Sequence, residues 1–334
     1  MINKILSVKN FILSVLILFI NTFSFAQLKW KNVDSLYQPL PSSIHVYYTN
    51  EKIDTASFRA YYVIADIKDK HLNFTADTSY KRRLTPLQFY KKNDNPIVVV
   101  NSAFFSFDKN RNLNLIIKDG KLIAYNLASL KNSGKDSAVP KIPFRSAIGI
   151  TKSRHADIAW TYTDSSLQYA RASETVVKPR DAPVVCCNLS QSEINQKKTK
   201  EKKWYLKTFK KWKMNTAIGG GPMLLQNGEI YITNEDEKMF TGKAINDKHP
   251  RTAIGYTKDN KLVILVVEGR SESGGGATFA QEAQIFKDLG CVEALNLDGG
   301  GSSCLLVNGK ETIKPSDKEG QRATPSMFII KEKH

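Results

Sequence analysis

The chain has 334 residues and a formal net charge of +17, from 49 Lys and Arg against 32 Asp and Glu, with four Cys. That length can bury a sizeable core in one large domain or two small ones, and the basic excess points to anionic surroundings: phosphorylated glycans, lipid head groups or nucleic acid. The four Cys form neither a Cys-x-x-Cys pair nor a Cys/His cluster with ligand spacing, which removes the support for a structural zinc site.

In chain order, Lys4 and Lys9 precede an apolar core from Phe11 to Ile20, broken only by Ser14, and Ser24-Phe25-Ala26 supplies a small-residue exit. This predicts a secretory signal peptide over residues 1–26, a mature chain starting near Gln27, and a secreted or periplasmic protein. The apolar core is about half of the roughly twenty residues a spanning helix needs. The other reading of the block from Ile2 to Phe25 is one uncleaved anchor helix. Export makes nucleic acid the least fitting anionic partner. It also permits disulfides, and since the adjacent Cys186 and Cys187 suit each other poorly, Cys291 with Cys304 is the favoured pair.

Strand-forming runs follow at Arg59 to Ile67, Ile97 to Val100, Leu113 to Ile117, Ser146 to Ile150, Ala253 to Tyr256, Leu262 to Val267 and Glu293 to Leu297. They predict a mixed α/β (α+β) fold of mixed β-sheets. No Pro-, Gly- or Ser-rich linker divides it, so the strands of residues 27–96 belong with a main domain over 97–334. Asp119-Gly120, Asn227-Gly228 and Asn308-Gly309 each separate strand-forming runs, the pattern of a tight hairpin. A weak repeat is visible. Arg145-Ser146-Ala147-Ile148-Gly149 matches Arg251-Thr252-Ala253-Ile254-Gly255, and the Gly219-Gly220-Gly221 and Gly299-Gly300-Gly301 triplets each precede a strand and an Asn-Gly turn. It predicts two pseudo-repeated lobes around one cleft.

Residues 197–213 hold nine Lys against one Glu, with Trp204, Tyr205, Phe209 and Trp212 spaced to share one helical face. Two readings are open: an amphipathic surface helix packed on the core, or a peripheral contact with an anionic membrane or envelope glycan.

The densest chemistry lies between Lys261 and Lys310. A strand ends in Glu268-Gly269-Arg270, and Gly274-Gly275-Gly276 leads into a helix with Thr278 and Gln281 as a capping box. Phe279, Ala283, Phe286 and Leu289 form its apolar face, Gly290 ends it, and a second strand delivers Asp298 into Gly299-Gly300-Gly301-Ser302. This βαβ unit brings Glu268 and Asp298 to the same edge of the sheet, where ligands bind in open α/β sheets. The two glycine runs can act as anion nests. Two carboxylates beside an anion cradle suit cleavage of a sugar phosphodiester. One stabilises or attacks the anomeric carbon, and the other activates water. Arg251, after His249-Pro250, is the candidate phosphate clamp. Duller roles stand beside these: Asp298 as a turn residue, Glu268 and Arg251 as ion-pair partners, His249 as a loop cap. Ser302 lacks a nucleophile-elbow context.

The motifs Gly219-Gly220-Gly221-Pro222-Met223-Leu224, His249-Pro250-Arg251-Thr252-Ala253-Ile254-Gly255, Leu289-Gly290 and Asn296-Leu297-Asp298-Gly299-Gly300-Gly301-Ser302-Ser303, in that order along the chain, resemble signatures of the phosphodiester glycosidase family. The resemblance runs from about Ile97 to Ile330, with Tyr61 to Thr75 as leading strands. It implies a hydrolase of α-linked sugar-1-phosphodiesters of the N-acetylglucosamine-1-phosphodiester kind, and with the export segment at residues 1–26 the expected substrate lies in a phosphorylated glycan or envelope polymer. Asp298 and Glu268 would be catalytic. Arg251, Asn101, His249, Thr252, Arg270, Gly220, Gly221, Gly299, Gly300, Gly301 and Ser302 would bind substrate. One motif departs: Asn101-Ser102-Ala103-Phe104-Phe105 lacks the two glycines usual after the Asn, which implies a reshaped pocket. The sequence requires no cofactor, although Asp298 and Glu268 together would suit Ca²⁺ or Mg²⁺. The competing reading is a non-catalytic envelope protein that binds anionic glycans.

Overall fold

The computed structural model describes residues 28–130, 140–164, 168–181 and 191–333. The expected export segment and the Cys186-Cys187 pair lie outside the described residues. The fold is the expected mixture of sheets and a few helices. Every ladder among the described residues is antiparallel.

Two large sheets share one plan. The eight-stranded sheet runs in the order Lys31–Asn32, Ile44–Thr49, Ala60–Asp66, Lys261–Val267, Arg251–Thr257, Cys291–Asn296, Met223–Gln226, Glu229–Ile230. The seven-stranded sheet runs Lys210–Lys211, Arg171–Ser173, Ala156–Tyr162, Arg145–Ile150, Thr216–Gly219, Ile116–Lys118, Lys121–Ala124. In each, a strand opening on Arg forms a hairpin with the strand after it and pairs on its other side with a later strand. An Asx-Gly hairpin then closes that edge. The registers agree: Ala253 faces Asn296 as Ala147 faces Gly219, and Ile254 faces Leu295 as Ile148 faces Ile218. The two-lobe repeat is therefore a property of the fold. The glycine triplets are not equivalent within it, since Gly219 occupies the register of Asn296 and not of Gly299.

Residues 27–96 are woven into the same sheets. Ala60–Asp66 pairs with Lys261–Val267 along its whole length, and Leu72–Thr78 pairs with Ser326–Glu332 in a five-stranded sheet that also holds Val98–Asn101 and Leu305–Val307.

Alternation along the strands explains the layers. Ile254, Ile264 and Leu295 point into a central core with Ile148, Ile158, Trp160, Val98, Leu305 and Phe328 from the other two sheets. Their neighbours Ala253, Val263 and Leu265 point the other way, onto Phe279, Ala283 and Phe286 of the helix Phe279–Asp288. The strands Lys261–Val267 and Cys291–Asn296 both run antiparallel to Arg251–Thr257, which lies between them. They are thus parallel to each other, as the βαβ reading requires, but not adjacent. The Thr278/Gln281 capping box is present, and the three Asx-Gly pairs take positive φ at both positions and close hairpins.

Two expectations fail. Cys291 and Cys304 are free and buried in separate clusters, Cys291 under the Phe279–Asp288 helix and Cys304 beside Val99 and Leu306. Each thiol packs as a small apolar group, and burial pushes both well above the usual thiol range. The Lys-rich helix spans Gln191–Thr208 and ends before Trp212. Tyr205 and Phe209 pack on Phe144 with Trp204 beside them, while Trp212 covers a different face with Met214 and Ala217.

Candidate active site

The loop after Cys291–Asn296 is fixed before any ligand arrives. Asn101, fully buried at the end of its strand, donates to the Asp298 carbonyl at 2.5 Å, and its amide oxygen accepts from Thr252 Oγ1 at 2.8 Å and from the Cys304 N–H at 3.0 Å. The Asp298 N–H reaches Ser102 O at 3.0 Å, and the Gly300 N–H reaches Pro250 O at 2.8 Å. Asn101 and Thr252, expected to bind substrate, are instead the clasp that holds Asp298 in place.

The Asp298 side chain opens into a cavity of about 260 Å³ lined also by Phe104, Phe240, His249, Arg251, Arg270, Gly299, Gly300, Gly301 and Arg322. Desolvation raises its carboxyl to about 7, against the lowering effect of the Ser302 hydroxyl, the Arg322 charge and the Gly299 N–H. A carboxyl poised there can exchange a proton near neutral pH.

Arg251 lies against the Phe279 ring, 4.0 Å from guanidinium carbon to ring centre. Its Nε donates to Ala277 O at 2.9 Å and its Nη2 to Asp247 O at 3.2 Å. Behind it sits Glu282, fully buried, 3.7 Å from Arg251 Nε and with no hydrogen-bond partner on either oxygen. Burial pushes Glu282 up to about 8, with Arg251 opposing. His249 lines the same cavity, and burial with the nearby Arg251 and Arg270 holds its imidazole below the usual range. Arg270, at φ 61°, turns back over the glycine loop. A Cβ on Gly300 would come within 3.3 Å of its Nη2.

Three expectations need correction. Glu268 does not line the cavity; it is 1 % exposed. It accepts from the Ser271 and Ser273 hydroxyls at 2.9 and 2.7 Å and from the Lys314 N–H at 3.0 Å, with Arg59 at 3.7 Å. These donors and the Arg59 charge hold its carboxyl low despite burial. It is a satisfied structural carboxylate tying the Ser271–Gly274 turn to Lys314. Gly220 and Gly221 do not reach the cavity either. A Cβ at Gly220 would lie 2.4 Å from Asn296 O, and one at Gly221 would lie 2.5 Å from Glu237 Oε2, so Gly220 serves close packing between the lobes and Gly221 the close approach of Glu237. The Gly274–Gly276 run is no free nest: the Gly274 N–H goes to Ser271, Gly275 to Ser57 O and Ala277 to His249 O.

The donor set for Ca²⁺ or Mg²⁺ also fails to assemble. Glu268 is committed elsewhere, Asp298 faces guanidinium groups, and no group of three or more His, Cys, Asp or Glu side chains gathers among the described residues.

A scan against family models matches residues 163–331 to the phosphodiester glycosidase domain. The chain belongs to the phosphodiester glycosidase family. Over 80 residues it is 45% identical to the SPbeta prophage-derived uncharacterized protein YomE of Bacillus subtilis (strain 168), covering 24% of this chain and 12% of that protein. Over 108 residues it is 36% identical to the N-acetylglucosamine-1-phosphodiester alpha-N-acetylglucosaminidase of Homo sapiens, covering 30% of this chain and 21% of that one. The matches thus span about a fifth or less of these relatives' length. Among solved structures, the catalytic domain of the zebrafish enzyme of that name, auto-inhibited by its pro-peptide, superposes with a TM-score of 0.58 at 20% identity, over 92% of this chain and 89% of that one. A hypothetical protein from Synechocystis gives 0.57 at 15% identity, over 90% and 63%.

In this phosphodiester glycosidase fold the site also holds residues that motif reading passed over. Arg322 grips Asp317 with two hydrogen bonds, at 2.7 and 2.8 Å, and its Nη1 lies 3.5 Å from Ser302 Oγ. Gly301 makes room for that pair, since a Cβ there would fall 2.0 Å from Arg322 Nη2. Phe104 and Phe240 pack edge to face at 5.8 Å and wall the cavity. Neither Arg322 nor Phe240 stands in a motif; the one available signal was the aromatic pair Phe104-Phe105 after Asn101.

Proposed function

We propose that the protein hydrolyses an α-linked sugar-1-phosphodiester, with Asp298 as general base and Arg251, Arg270 and Arg322 as the cationic clamp on phosphate. The carrying observation is the shared cavity in which one carboxyl, raised to about 7, meets three guanidinium groups and the Gly299–Gly301 loop. Ionised Asp298 takes a proton from a water that adds to the anomeric carbon. The C1–O bond breaks, its electron pair stays with the phosphate oxygen, and a phosphodiester monoanion leaves as a phosphomonoester dianion. The clamp therefore meets one more negative charge at the end of the reaction than at its start. That is the condition under which fixed cations stabilise a transition state more than a ground state. His249, held below its usual range, is available as a neutral hydrogen-bonding group at the cavity wall. Family membership and the relatives' names support the reaction class.

We place this activity outside the cytoplasm, on a phosphorylated glycan or envelope polymer, following the export segment read at residues 1–26. The test is a panel of α- and β-sugar-1-phosphodiesters, reading free reducing sugar with wild type and Asp298→Asn. Turnover of an α-diester that Asp298→Asn abolishes supports the reading. Tight binding with no turnover of any diester favours the glycan-binding alternative.

A further inference from the structure

A second compartment of about 240 Å³ adjoins the cavity just described and shares Phe104, Phe240, Asp298 and Arg322 with it. Its remaining walls are Phe105, Phe107, Leu113, Met239 and Arg145. The two compartments differ in chemistry. The first is built from guanidinium groups, an imidazole and a glycine loop. The second is a box of aromatic and aliphatic side chains, the kind of surface on which the apolar face of a sugar ring stacks, and besides Arg322 and Asp298 at the shared boundary it has one cation of its own.

That cation is Arg145, the pseudo-repeat counterpart of Arg251. Its side chain is 7 % exposed, its Nε has no hydrogen-bond partner, and its Nη2 makes only a long bond, 3.3 Å, to Lys238 O. Unlike Arg251 and Arg322 it has no acidic group within ion-pair distance among the described residues. The nearest acid that acts on it is Glu237. The oxygens of Glu237 are occupied by the Ser146 N–H and hydroxyl, the Met223 N–H, the Thr233 hydroxyl and the Trp160 indole. A buried guanidinium without a contact ion is costly unless a ligand supplies the missing charge. The chain spends that cost on the wall of a cavity.

Resting on the reaction proposed above, we infer that the sugar half of the substrate sits in this aromatic compartment and carries an anionic substituent, a carboxylate of the uronic acid kind, which Arg145 binds. The phosphate then occupies the Arg251 and Arg270 side, and the scissile bond falls at Asp298 and Arg322, the boundary the two compartments share. A neutral sugar would fill the aromatic box but leave the Arg145 charge unmatched. Arg145 is on this reading the residue that decides sugar specificity.

The experiment compares two probes that differ only at C6, the methyl phosphodiesters of α-glucose 1-phosphate and α-glucuronic acid 1-phosphate. A charge-assisted hydrogen bond contributes about 1.5 to 3 kcal/mol, so wild type should favour the glucuronate by about ten- to a hundredfold in kcat/KM. Arg145→Gln should bring that ratio close to one, and Arg145→Lys should retain part of it. Equal kcat/KM for both probes in wild type, or an Arg145→Gln that lowers both by the same factor, overturns the inference while leaving the phosphodiester activity intact. If wild type cleaves neither probe, the wider diester panel decides the reaction, and calorimetric binding of α-glucuronic acid 1-phosphate against α-glucose 1-phosphate decides the inference alone. Tighter glucuronate binding that Arg145→Lys weakens supports it; equal binding overturns it. The wild-type comparison needs no variant to fold.

Discussion

The Arg145 and Arg251 lobes have the same strand plan and opposite electrostatic finish. In the first, the buried acid Glu237 accepts from backbone and side-chain donors all round, and its arginine stands apart from it. In the second, the buried acid Glu282 accepts nothing and has only the Arg251 charge 3.7 Å away. At the next equivalent position the lobes part again, with Gly221 in one and Asp298 in the other: Gly220 N–H pairs with Ser146 O where Leu297 N–H pairs with Thr252 O. A duplicated scaffold can thus present two cations to one cleft while only one copy carries a carboxyl at this position.

The largest break in that asymmetry is Asp298→Asn, which removes a charge with almost no change of shape. The fold should survive, and the rate on a sugar-1-phosphodiester should fall on the order of a thousandfold. With Asp298 near 7, wild-type turnover should rise with pH through that value, because the base works ionised. Arg322→Gln removes a charge that lowers the Asp298 carboxyl, so the same limb should move to higher pH. An unmoved limb in Arg322→Gln, measured across pH 5 to 9, assigns the limb to another group.

Next comes the orphan acid. Glu282 is raised from 4.5 to about 8, so the folded chain keeps a proton that the unfolded chain releases above about 4.5. Stability should therefore fall as pH rises from about 5 to 8. Glu293 and Asp298, both raised to about 7, act in the same direction. The Glu282 contribution is on the order of a few kcal/mol at most. Glu282→Gln mimics the protonated acid and should flatten the slope of melting temperature against pH, with its gain greatest near pH 8. A parallel slope in the variant would show that Glu282 ionises freely in the folded chain.

A smaller effect tests the packing between lobes. Gly220→Ala would place a methyl group 2.4 Å from Asn296 O, a backbone atom next to the Asp298 loop. Overpacking of this kind costs about 1 to 3 kcal/mol and shifts backbone. Denaturant unfolding should show the loss, and turnover should fall with it because Asn296 leads directly to Asp298.

What was legible in the sequence was local. Alternation gave the strands, Asx-Gly pairs gave the hairpins, and Thr278 with Gln281 gave the helix start, because each depends on residues a few positions apart. The place of Asp298 in the cleft was legible too, because it follows directly on the end of the strand Cys291–Asn296. Glu268 misled because strand direction says which edge a residue reaches but not which side of the following turn its side chain takes. With Gly269 packed on Pro250 and Arg270 at positive φ, residue 270 enters the cleft and residue 268 faces Arg59 and Lys314. The Gly219–Gly221 run misled because glycine serves an anion nest and a tight crossing equally well. Arg322 was illegible: its position depends on Asp317 and on a missing Cβ at Gly301, and neither forms a pattern along the chain.

The smallest expected effect on the protein itself concerns the helix Gln191–Thr208 and the strand Lys210–Lys211 after it, whose surface differs from the cleft in having cations open to water. Lys203, Lys207, Lys210 and Lys211 are exposed, while Tyr205 and Phe209 anchor the segment on Phe144. Packing thus accounts for the aromatic residues and leaves the Lys excess to solvent. We propose that this face makes a peripheral contact with an anionic envelope surface. Each Lys held near such a surface contributes about 1 kcal/mol, an attraction screened within a Debye length of about 10 Å at 0.1 M salt. Replacing the four with Gln should leave melting within about 0.5 kcal/mol of wild type, as is usual for exposed substitutions. Turnover of a small diester should stay the same. Sedimentation with vesicles rich in phosphatidylglycerol, at low salt, should fall at least tenfold. Unchanged sedimentation would leave the segment as an ordinary solvated surface, its charge serving solubility, and would confine the proposed recognition of anions to the cleft.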